Sequence, residues 1–106
     1  MEPAAAAFDL IEWIEEAPGV RAKPLSIAGQ RFALVEYQPS AGRDEWCRDG
    51  HRGFVAQGAI HYEFEDGREP LQAVAGQGFF LPPGLGHKGR NHHFEPTRIF
   101  VVDDPA

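Results

Sequence analysis

Proline and glycine punctuate this chain so densely that long helices have no room to form. Nine Pro and twelve Gly are spread through 106 residues, and both types interrupt helical runs. The breaks fall at Pro18-Gly19, Pro39 to Gly42, Gly50, Gly58, Asp66-Gly67, Gly76 to Gly78 and Pro82 to Gly86, leaving intervals of strand length. Between them the residues alternate. In Arg31 to Tyr37, Phe32 and Leu34 point one way and Ala33, Val35 and Tyr37 the other. In Ile60 to Glu65, Ile60, Tyr62 and Phe64 share one face, with His61, Glu63 and Glu65 opposite. A period of two is that of strands with one face on a core. Asp66-Gly67 closes a hairpin, because both residues tolerate positive φ. A last strand is expected from about Thr97 to Val102. The expected class is all-β.

The N-terminal arm, residues 1–20, is ambiguous. Leu10, Ile11 and Ile14 suit one side of a short helix, yet a strand reads equally well. Phe79-Phe80 and Ile99 to Val102 are apolar on both faces. An outer sheet face of that kind calls for a cover, so a homodimer is expected, with Phe8, Ile11 and Trp13 of the arm in its two-fold interface.

Charge and cysteine content limit the function classes. Ten Lys and Arg against sixteen Asp and Glu give a net charge of −6, which disfavours a nucleic-acid partner. The longest apolar runs fall far short of the roughly 20 residues of a membrane helix, so no membrane partner is expected. The opening MEPAAAAFDLIEW lacks the basic start of a secretion signal, and a cytoplasmic location is the expectation. Cys47 is alone, which excludes a disulfide within the chain.

The most informative stretch is Gly76 to Asn91, GQGFFLPPGLGHKGRN. It reads glycine, five residues, Pro82, one residue, Gly84, two residues, His87, three residues, Asn91. Position for position this resembles the second motif of the cupin superfamily, in which the histidine is a metal ligand. A first cupin motif is present in altered form. Gly58 follows His51 by six intervening residues, and GHRGFVAQGAI looks like the family's strand-turn-strand, so His51 stands where the family has a glutamate. A three-residue spacer places Glu45 and Cys47 in the family's two histidine slots; a four-residue spacer selects Asp44 and Trp46. The resemblance covers about residues 31–102 and implies a single small jelly-roll barrel over residues 1–106.

The candidate metal ligands are therefore His51, His87, Cys47 and Glu45. Imidazole, thiolate and carboxylate all bind first-row ions, so the ion is expected to be Zn, Fe, Mn or Ni in the divalent state. On an unbroken strand Glu45, Cys47 and His51 would share a face, and His51 and His87 are expected on adjacent inner strands. A lone cysteine is equally at home as a small buried hydrophobe. Gln57, on the parity of His51, is expected to line the pocket, with Trp46 and Tyr62. His61 and His92-His93 read as surface residues. Two functions fit these residues: a metal-dependent enzyme acting on a small molecule, or a metal-free module that binds or senses one.

Overall fold

A computed structural model describes residues 2–104 of the chain. Nine strands follow one turn of 3₁₀ helix at Phe8–Leu10. They are β1 (Ile14–Ala17), β2 (Val20–Ile27), β3 (Gln30–Tyr37), β4 (Gly50–Gln57), β5 (Ala59–Phe64), β6 (Leu71–Val74), β7 (Gly78–Leu81), β8 (His87–Arg90) and β9 (Thr97–Asp104). All pairings are antiparallel. One sheet runs β1-β2-β3-β9-β4-β7 and the second, smaller one β6-β5-β8. This is a small jelly-roll of two facing sheets, its strands as the alternation predicts and its barrel as the motif resemblance implies. No helix among the described residues is long and apolar enough to cross a membrane.

The core lies between the sheets. Ala33, Val35 and Tyr37 of β3 are buried, as are Ile99 and Val101 of β9, Val55 of β4, Ile60 and Tyr62 of β5, and Leu81 of β7. These are the inward-facing residues of each alternating run. The β2–β3 hairpin turns through Ala28 and Gly29, both at positive φ (52° and 79°). That is the handedness a two-residue hairpin requires. Asp66-Gly67 lies in the β5–β6 connection, with Gly67 at φ 80°.

The outer face of the larger sheet carries an ion cluster around the buried Glu36. Glu36 accepts bonds from Arg21 at 2.8 Å and Arg98 at 2.7 Å, its register partners on β2 and β9. Trp13 lies over both guanidiniums, 4.2 Å from Arg21 and 5.9 Å from Arg98. Phe8 packs edge-on against Phe100 at 5.9 Å. The arm thus folds back on its own sheet through Phe8 and Trp13. Its helical reading survives only as the three-residue 3₁₀ turn, before β1 joins the sheet edge.

Candidate metal centre

His51 is the second residue of β4 and stands in register with Asp103 of β9. The inward alternation Thr97, Ile99, Val101 continues to Asp103, so both side chains point between the sheets. The Asp103 carboxylate accepts a hydrogen bond from His51 Nδ1 at 2.8 Å, which leaves Nε2 turned toward the other donors. His87, the first residue of β8, is buried. Its Nδ1 lies 3.2 Å from the Leu85 carbonyl, again directing Nε2 inward. The two histidines sit on strands of opposite sheets, not on adjacent ones, and face each other edge-on with ring centroids 4.9 Å apart.

Cys47 reaches the same point from the β3–β4 loop. Its backbone exchanges two hydrogen bonds with His87, N to O at 3.0 Å and O to N at 2.9 Å. This bridge, with that of Gly42 to Arg90, docks the loop on β8 and sets Cys47 Sγ 3.9 Å from His51 Nε2. The chain from Glu45 to His51 is therefore not an unbroken strand, because bends at Glu45 and Asp49 flank the bridge. The shared face expected for Glu45, Cys47 and His51 is lost with it. Cys47, His51 and His87 bring their donor atoms within 4.8 Å of one another. Glu45 is exposed at the rim, outside this cluster.

The three donors form a coupled electrostatic unit. Hydrogen bonds from His51, and then His87, hold the Cys47 thiol down at about 6 against the opposing effect of burial. Burial works against charge on His51, but the hydrogen bonds and negative charges of Asp103 and Cys47 raise it to about 9. Burial likewise opposes ionisation of Asp103, yet His51 and Arg31 keep its carboxyl below the usual range. Arg31 donates to the second Asp103 oxygen at 2.9 Å.

A cavity of about 670 Å³ opens over the cluster. Trp46 and Tyr62 line it as expected. Tyr62 is buried, with its ring edge-on to His87 at 5.7 Å. Gln57 does not line it and is exposed. A bulge between Val55 and Gln57 pairs Val55 with Ile99 but Gln57 with Arg98. The extra residue turns Gln57 to the other face, which parity alone could not foresee. His61 stacks edge-on with His92 at 4.8 Å, beside a separate cleft of about 150 Å³.

The donor set fits a divalent ion. Around a tetrahedral zinc, sulfur at about 2.3 Å and nitrogens at about 2.0–2.1 Å lie roughly 3.3–3.6 Å from one another. The observed cluster is wider by about an ångström, a closure within the reach of side-chain rotation. Both imidazoles are anchored at Nδ1 by an acceptor, the arrangement that orients a ligating histidine. Three donors facing a cavity would leave a fourth position on a bound ion open.

No family model matches this sequence, and no curated protein does. The structural likenesses are close. An RmlC-like cupin from Shewanella frigidimarina matches with TM-score 0.76 at 19% identity, over 99% of this chain and 93% of that one. The fold is that of a cupin. An oxalate decarboxylase variant from Bacillus subtilis matches with TM-score 0.78 at 18% identity over 94% of this chain. The present chain spans 29% of that enzyme's length. A polyketide cyclase from Streptomyces resistomycificus matches with TM-score 0.76 at 16% identity, covering 96% of this chain and 79% of its own. Within the cupin fold this chain departs in its donor set, offering Cys47, His51 and His87 with Asp103 behind His51. Asp103 was missed by sequence reading, which ended the last strand at Val102. The signal was there, since Asp103 continues the inward period of two.

Proposed function

We propose that this cupin is a divalent-metal protein that holds its ion with Cys47, His51 and His87 and binds a small molecule in the cavity above it. One observation carries the reading: three strong donors from a loop and both sheets converge, with each imidazole fixed at Nδ1 so that Nε2 faces the others. An ion there would supply Lewis acidity or activate a bound water. The chain's own residues shape the rest. Tyr62 and Trp46 wall the cavity, Asp103 holds the His51 ring, and Arg31 holds Asp103. Elemental analysis of the purified protein tests the proposal. About one Zn or Fe per chain in the wild type, lost in His87→Ala, supports it. No uptake after reconstitution with Zn²⁺, Fe²⁺, Mn²⁺ and Ni²⁺ refutes it.

A metal-free binding module is the second reading, and one feature favours it. The Cys47 thiolate and the His51 imidazolium can neutralise each other without an ion, at 3.9 Å. Absence of metal together with saturable small-molecule binding would select it.

We propose further that the chain pairs with a second copy through the outer face at β7. Phe80 and Phe54, 59% and 47% exposed, stand there beside the free edge of the larger sheet. Light scattering at micromolar concentration is expected to give a dimer, and Phe80→Glu a monomer; a monomeric wild type overturns the pairing.

A further inference from the structure

Glu16 borders the cavity from the edge strand of the larger sheet, beside a break in register. On β1, Glu15 pairs with Arg21 and Ala17 with Val20, so the register slips between them and Glu16 is the unpaired residue of a bulge. A bulge re-aims a side chain. Here Glu16, Ala17 and Pro18, three consecutive residues, all border the cavity, whereas regular alternation would turn Ala17 away from its two neighbours. The Glu16 carboxylate meets two guanidiniums. Arg43 Nη2 donates to Oε1 at 2.6 Å and Arg31 Nη2 to Oε2 at 3.3 Å.

Both arginines are held from behind. Arg43 Nε donates to the hydroxyl of the buried Tyr37 at 3.2 Å. Arg31 Nη1 donates to Asp103, which in turn accepts from His51. Two preorganised cations thus converge on one carboxylate in the cavity wall, one carboxylate away from a proposed metal ligand. Guanidiniums recognise carboxylates by paired, charge-assisted hydrogen bonds. The other acids bordering the cavity, Asp44, Glu45 and Asp49, lie on the exposed loop, and Asp44 is paired with Arg90.

We propose that Arg31 and Arg43 form the docking site for a carboxylate on the cavity's small-molecule ligand, and that Glu16 occupies this site until the ligand displaces it. The inference rests on the reading of the cavity as a ligand site, and it names the ligand class as a carboxylic acid. An acid seated there keeps its remaining atoms above Cys47, His51 and His87. Glu16 acts as an internal competitor that scales the apparent affinity by the fraction of time it leaves the clamp open.

The test uses metal-free protein, so its outcome does not depend on ion binding. Propionate, propionamide and propylamine are titrated in turn while the Nε–H resonances of Arg31 and Arg43 are followed by NMR. Propionate is expected to shift both resonances saturably, with propionamide about tenfold weaker because it lacks the charge. Glu16→Gln is expected to tighten propionate about tenfold, as for a site open roughly a tenth of the time, and propionamide in proportion, so that their ratio is kept. Glu16→Asp, which retracts the carboxylate by one methylene, gives a smaller gain and serves where Glu16→Gln does not fold. Arg43→Lys should lose the propionate response. Equal binding of propionate and propionamide overturns the proposal, as does no gain in both Glu16 variants. Preferential binding of propylamine also overturns it, and would assign the cavity to the acids of the rim. Zinc uptake by the same samples reports separately on the metal centre, so the two readings can fail independently.

Discussion

Zinc uptake by this protein is expected to expel one proton, and the structure says which one. A ligating histidine must be neutral and a ligating cysteine ionised. The metal-free Cys47 thiol titrates at about 6, so above pH 7 it is already a thiolate and releases nothing. His51 is raised to about 9 by Asp103 and Cys47 in spite of burial, so between pH 7 and 9 it must surrender a proton to ligate. Apparent zinc affinity should therefore rise about tenfold per pH unit over this interval and level off near the His51 value. At pH 7 the two units still to climb cost about 2.7 kcal/mol, a factor of about 100. The folding linkage has the matching sign. A raised His51 stabilises the metal-free fold fully below its unfolded value near 6.5, and that contribution is lost as pH rises through about 9. Competition with a chromophoric chelator at half-unit pH steps measures the slope, and calorimetry in two buffers of different ionisation enthalpy counts the proton. In Asp103→Asn the amide oxygen can still accept from His51 Nδ1, but the charge is gone, so the slope should flatten. A wild-type slope of zero or two between pH 7 and 9 would sink this reasoning, as would an unchanged slope in Asp103→Asn.

Cys47→Ser replaces a soft thiolate with a poor hydroxyl ligand, so zinc affinity should fall at least about tenfold; chelator competition at pH 8 reads it. Glu45→Ala should leave zinc stoichiometry by elemental analysis unchanged, because Glu45 lies outside the donor cluster. Ala28→Asn should raise stability by about 1 kcal/mol, since alanine pays for left-handed backbone that asparagine tolerates at a hairpin turn; a urea midpoint equal to wild type contradicts it. Gly53→Ala should lower stability by about 1–3 kcal/mol in the same assay, because its Cβ would overlap the Phe79 ring.

The strands were legible because their inward residues repeat at the period of the pleat, and glycines such as Gly58 and Gly67 take the positive φ of the turns. The spacing from Gly76 to Asn91 pointed to His87, and the interval to Gly58 pointed to His51. Parity failed wherever the backbone broke step. Gln57 was lost to the bulge after Val55, and Glu45 to the bends either side of the Cys47 bridge. Glu16 was hidden for another reason, since its inward parity with Ile14 shows only once β1 is paired with β2. Asp103 was overlooked because an acid looks like the end of an apolar strand. Here it is the last inward step of one. Pairing across sheets was beyond a linear reading, which is why His51 and His87 were assigned to neighbouring strands.

With one imidazole on each sheet, the gap between the sheets is the aperture of the donor set. Sheets stack about 10 Å apart at a distance set by the side chains between them. Val55 and Leu81, both fully buried, belong to that spacer layer without touching an ion. Trimming either would let the layers settle or splay by tenths of an ångström, a change comparable to the difference in bond length between one metal and the next. Ion preference in such a barrel is thus adjustable from its hydrocarbon interior. A lineage could drift from one metal to another while every ligand stayed in place.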